Sequence, residues 1–123
     1  MPWTRTQLDA IAAADDFRVA PFRADGETPG TPTFIWSVVT GGALYIRAYS
    51  GAGSRWFRAA LDQGAGQVQA AGRTWDVTFH PVDDSVQDAV DDAYRAKYAD
   101  SRYLAPMISD RAHGATVEVR LRD

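Results

Sequence analysis

The hydrophobic pattern reads as period two, a strand signal, over TFIWSVV (33–39) and again over ALYIRAY (43–49), with Gly41-Gly42 between them. That pair suits a primed two-residue turn, so a β-hairpin is predicted there. GQVQAA (66–71) and TWDVTFHPV (74–82) flank a turn at Ala71-Gly72-Arg73 and form a second hairpin, with Trp75, Val77 and Phe79 on one face and Thr74, Asp76, Thr78 and His80 on the other. FRVAPF (17–22) reads as an edge strand or one that ends at its proline, and ATVEVRLR (115–122) as a final strand. The period changes elsewhere. From Thr6, Leu8, Ile11 and Ala12 share a helical face while Gln7, Asp9, Asp15 and Asp16 lie mainly on the others. Residues 53–62 read as a second helix, and Asp84 to Ala99 as the longest. The stripe of that longest helix is Val86, Ala89, Val90, Ala93, Tyr94 and Lys97, with Asp88, Asp91 and Asp92 toward solvent. RADGETPGTP (23–32) is a loop. Hairpins joined by helical connections predict an α+β fold, an antiparallel barrel of about six strands with two or three attached helices.

Composition narrows the function classes. A chain of 123 residues, 46% hydrophobic and 24% charged, suits a single domain over 1–123 with one core. The formal charge is -3 and the positive charge is almost all arginine, so no basic stripe is offered to nucleic acid or to an anionic membrane. There is no cysteine, hence no disulfide, thiolate metal site or cysteine nucleophile. The N-terminal MPWTRTQLDAIAAADD lacks a continuous apolar run, which predicts neither a signal peptide nor a membrane span and points to a cytoplasmic protein. His80 and His113 lie far apart with no carboxylate set beside them in sequence, so no metal site is predicted. The aspartates from Asp83 to Asp92 read as helix N-terminal and solvated-face chemistry.

One stretch carries candidate chemistry. In RAYSGAGSRWFRAAL (47–61) a strand breaks into a glycine-rich turn and then a helix. Gly51 and Gly53 permit positive φ, Ser50 and Ser54 offer hydroxyls, and Ser54 suits the helix N-cap. A helix N-terminus favours an anion, to which Arg55 and Arg58 would add charge-assisted bonds. The spacing matches neither common phosphate-loop pattern, because Trp56 stands where a last glycine would be. Two readings therefore stand together: an anion cradle, or a tight corner in which the serine caps and Trp56 and Phe57 anchor the helix on the barrel. Trp36 on the first hairpin is placed to stack on a flat ring or to pack in the core. Tyr98 and Tyr103 are placed to cover a pocket mouth or to finish a helix end.

The pieces LDAIAAADDFRVAPFRADG, PTFIWSVVTGGALYIRAYSG, SRWFRAAL, GRTWDVTFHPVDD and AYRAKYADSRYLAPM, which cover most of the chain, resemble bacterial domain-of-unknown-function family 2255. More distantly, the hairpin, SGAGSRWFRAAL, AGRTWDVTF and the final strand are similar to the deazaflavin-dependent nitroreductase group of the flavin-binding split-barrel superfamily. That resemblance implies a split β-barrel binding flavin mononucleotide or a deazaflavin, with oxidoreductase chemistry carried by the cofactor and a homodimeric assembly. Together with the turn at 50–56 it implies an anionic cofactor tail held at Ser50, Gly51, Ser54 and Arg55, with Trp56 framing the ring; Trp36, Tyr98 and Tyr103 are, by their own positions, the candidates for a substrate pocket. A cofactor-free protein that binds an anionic metabolite in the same pocket is the alternative.

Overall fold

Thr4 and Gln7 set the start of the first helix. The Thr4 hydroxyl accepts from the Gln7 N–H at 3.1 Å and the Gln7 side chain accepts from the Thr4 N–H at 2.9 Å, a reciprocal capping box. Helix α1 therefore spans Arg5–Ala13 and begins before the expected Thr6, because Thr4-x-x-Gln7 satisfies two orphan amides at once. The computed structural model describes residues 3–14 and 16–122, so the expectation for Asp15 falls outside the described residues.

Among the described residues there are seven strands: β1 (Phe17–Pro21), β2 (Thr33–Ile35), β3 (Ser37–Thr40), β4 (Ala43–Arg47), β5 (Ala65–Ala70), β6 (Arg73–Pro81) and β7 (Thr116–Leu121). They form one sheet in the order β2-β1-β5-β6-β7-β4-β3, and every neighbouring pair is antiparallel. Both expected hairpins are present. Gly41 and Gly42 turn β3 into β4 with φ of 59° and 76°, values that a primed turn requires and glycine supplies without strain.

The alternation hides one event. TFIWSVV is not a single strand: β2 pairs with β1 at one edge of the sheet, and β3 pairs with β4 at the other. Trp36 alone separates them. Since Cα atoms two residues apart span about 7 Å at most, the sheet must curl until its edges nearly meet. The result is a nearly closed barrel with one strand more than the sequence pattern suggests.

Alternation along β4 builds two cores. Leu44 and Ile46 face the barrel interior, where Phe17, Val19, Val68 and Val117 join them. Tyr45 faces outward into a second cluster with Val38, Val90, Tyr94 and Met107. Helix α3 (Gln87–Lys97), entered through a 3₁₀ turn at Asp84–Val86, covers that outer face by packing on β3, which is why β4 is buried on both sides. Helix α2 (Arg55–Gln63) contributes Trp56, Phe57 and Ala60 to the interior cluster, each large side chain adding roughly 1.5–3 kcal/mol on burial. Short helices α4 (Leu104–Met107) and α5 (Asp110–His113) connect α3 to β7. Among the described residues no helix is long and apolar enough to cross a membrane.

Asp91 departs from the sequence expectation. The helical stripe assigns it to solvent, yet it is buried, whereas Asp88 and Asp92 are exposed. The reason is nonlocal: Arg47, on the face of β4 that α3 covers, meets it.

Candidate functional site

Arg47 is the largest fully buried side chain, with its guanidinium surrounded by acceptors. Its Nε donates to Thr116 Oγ1 at 2.9 Å, Nη1 to Asp91 Oδ1 at 2.5 Å and to the Met107 carbonyl at 3.0 Å, and Nη2 to the Gln87 side chain at 2.6 Å and its carbonyl at 3.4 Å. All five donors of the fork are engaged, as a buried charge requires. The Tyr94 ring lies 5.3 Å from its central carbon, and burial raises the pKa of that phenol far above its ordinary value. His113 closes the set, with Nε2 2.9 and 3.0 Å from the two Asp91 oxygens. The sequence gap between His113 and Asp91 concealed this pairing. Among the described residues no group of three or more His, Cys, Asp or Glu side chains is arranged to hold a metal ion.

Beyond Arg47 the chain leaves β4 through Ala48, Tyr49 and Ser50. The Gly51 N–H bonds the Ala48 carbonyl at 3.0 Å and the Ser54 N–H bonds Gly51 at 3.0 Å, which winds a 3₁₀ turn over Gly51–Gly53. Gly51 is fixed by two constraints. Its φ is 80°, and a Cβ there would stand 2.5 Å from Cγ of Arg111, whose aliphatic stem crosses the turn. Ser54 occupies the N-cap position of α2, but its hydroxyl accepts no capping bond. Among the described residues the Ser50 and Ser54 hydroxyls have no hydrogen-bond partner.

These elements enclose a cavity of about 430 Å³ beside the break at Trp36. Thr33, Phe34, Ile35 and Trp36 form one wall, Arg47, Tyr49 and Ser50 the end of β4, Ser54 and Trp56 the start of α2, and Tyr103 and Met107 the segment after α3. Its size lies in the range of small-molecule sites, and its surface is mainly apolar. Three exposed aromatics meet there: Phe34 at 54%, Tyr49 at 45% and Tyr103 at 47% exposure. Tyr49 and Tyr103 contact edge to face, with centroids 6.3 Å apart.

Of the side chains singled out in the sequence, Trp36, Ser50, Ser54, Trp56 and Tyr103 line this one cavity. Gly51 adjoins it beneath Arg111, and Arg55 is exposed on the first turn of α2 and is not among the lining residues. Tyr98 stands behind Trp36, stacked at 4.0 Å with an interplanar angle of 3°, and its hydroxyl donates to the Ser37 carbonyl at 3.2 Å. It therefore holds the Trp36 ring in place. Phe34, Tyr49 and Met107 join the lining without any sequence signal, because they come together only when the sheet curls.

The profile of a family described as uncharacterised protein conserved in bacteria, DUF2255, matches residues 7–119. No curated protein matches the chain. Among solved structures, the conserved hypothetical protein Rv2991 from Mycobacterium tuberculosis is similar, with a TM-score of 0.64 and 14% sequence identity over 98% of this chain and 80% of that one. At that identity the likeness speaks for the fold.

Proposed function

We propose that this chain, which belongs to the DUF2255 family of uncharacterised bacterial proteins, binds a planar conjugated cofactor with an anionic tail, a flavin or a deazaflavin, in the cavity beside Trp36. The observation that carries this reading is an aromatic-walled cavity that meets the N-terminal end of α2, with two serine hydroxyls uncommitted to the protein. The lining fits such a group. Trp36, Trp56, Tyr49 and Tyr103 offer π surface to a flat ring, each good stacking contact adding roughly 0.5–1.5 kcal/mol. Ser50 and Ser54, with the free amides that begin α2, suit the tail.

A colourless carboxylated or phosphorylated metabolite lying inside the cavity is less well served. It needs an available cation, and among the described residues the arginine that lines the cavity, Arg47, has every donor engaged. When bound, the flavin or deazaflavin supplies redox chemistry. The chain's own residues orient the ring and exclude water: Tyr98 fixes Trp36, and the Arg47 bond to the Met107 carbonyl holds α4 against the wall.

Trp36 and Trp56 line the cavity and so report on its occupancy. Titration with flavin mononucleotide, riboflavin or a deazaflavin is expected to quench tryptophan emission saturably, and Trp36→Ala to weaken the binding about tenfold. Unchanged emission with all three at high micromolar concentration would sink the proposal. A thermal shift with colourless anionic metabolites and none with flavins would favour the cofactor-free alternative.

A further inference from the structure

Two arginines that no sequence motif singles out lie against the two exposed tyrosines of the cavity wall, outside the lining itself. The Arg111 guanidinium lies 5.8 Å from the Tyr49 ring centroid, and that of Arg102 lies 5.0 Å from the Tyr103 centroid while donating to the Tyr103 hydroxyl at 2.9 Å. The two rings are the lining pair in edge-to-face contact. Among the described residues neither arginine forms an ion pair. Asp110, the chain neighbour of Arg111, lies 4.0 Å from Nδ1 of His113 instead.

Arg111 is also held in place. Its Cγ crosses Gly51 at a distance that admits no other residue without displacement, and its head rests on an aromatic face. A cation ordered in this way loses little freedom when it meets an anion, so its charge-assisted bonds are worth more than those of a swinging side chain. Arg55 has neither support, and a cation in the first turn of a helix is opposed by the macrodipole. With Arg47 neutralised inside by Asp91, the free positive charge of the site is at its rim.

We infer that Arg111, assisted by Arg102, forms an anion subsite at the cavity mouth that recognises the phosphate of the ligand while the ring lies inside. Gly51 thus serves the site by seating an arginine. The inference rests on the reading of the cavity as a flavin site, and riboflavin and flavin mononucleotide separate the two, since they share a ring and differ by the phosphate.

The test compares both ligands by tryptophan quenching on the wild type, Arg111→Met and Arg55→Ala. Methionine keeps an unbranched stem against Gly51 and Tyr49 and removes the charge. Wild type is expected to bind flavin mononucleotide about tenfold more tightly than riboflavin, a preference that shrinks as salt is added. Arg111→Met should lose that preference with riboflavin affinity unchanged, and Arg55→Ala should retain it. Equal loss of both ligands in Arg111→Met would make the residue a packing element and overturn the subsite, as would an undiminished preference. If both ligands bind the wild type equally, the subsite fails and the ring site stands; if neither binds, the subsite fails, and the ring site falls with it when a deazaflavin is silent too.

Discussion

Asp25 accepts hydrogen bonds from the N–H groups of Glu27 and Thr28, at 2.9 and 2.8 Å, and from the Thr28 hydroxyl. The hydroxyl contributes most, then the two amides, with Arg23 adding attraction, and together they pull the carboxyl from its ordinary 3.8 down to about 2. Because the folded value is depressed, the stability this turn supplies is complete above pH 3.8 and is lost as pH falls toward 2. Asp25→Asn is expected to flatten that part of the acid-unfolding profile, measured by circular dichroism between those limits; an unchanged slope would refute it. At the same scale, Gly51 shows how far a residue's identity can be read locally. Its suitability for positive φ follows from being glycine in a turn, but its contact with Arg111, sixty residues on, does not.

Elements follow the sequence pattern where their partners are close in the chain. The β5–β6 hairpin pairs Ala70 with Arg73 across a turn in which Ala71 has φ of 52° and Gly72 of 75°. Alanine is strained in that left-handed conformation and asparagine tolerates it, so Ala71→Asn is expected to raise stability by about 0.5–1 kcal/mol in urea unfolding. A loss of stability would show that the turn imposes some other constraint. TFIWSVV is the opposite case. No turn residue interrupts it at Trp36, where Phe34, Ile35 and Trp36 follow one another as apolar residues, and a strand-like run does not name its neighbours, so the division into two edge strands is invisible in the sequence. The stripe on α3 fails at Asp91 for a related reason: polar identity predicts exposure unless a buried counter-charge is supplied by another element.

Across the whole molecule, Arg47 ties β4 to α3, α4 and β7 through Asp91, Gln87, Met107 and Thr116, and Asp91 extends the tie to His113 on α5. Removing Arg47 takes the buried counter-charge from Asp91, which keeps its contact with His113, and takes a donor from the Met107 carbonyl. Arg47→Met is therefore expected to cost about 3–5 kcal/mol in denaturant titration, despite methionine's apolar fit to the space. A cost under about 1 kcal/mol would show that the network is dispensable, as replacement of a buried ion pair by apolar side chains sometimes is. By itself the sequence determined most strand segments, the three longer helices, both hairpins and the α+β class, because those follow from side-chain periodicity and turn chemistry within short stretches; the short helices α4 and α5 carry no such signal. Only the tertiary structure decided that the sheet curls until Trp36 joins its edges, that Arg47 and Asp91 are buried together, and that Phe34, Trp36, Ser54, Trp56 and Tyr103 share one cavity. Those outcomes depend on which surfaces meet, and periodicity along a chain carries the direction of each side chain but not the identity of what it faces.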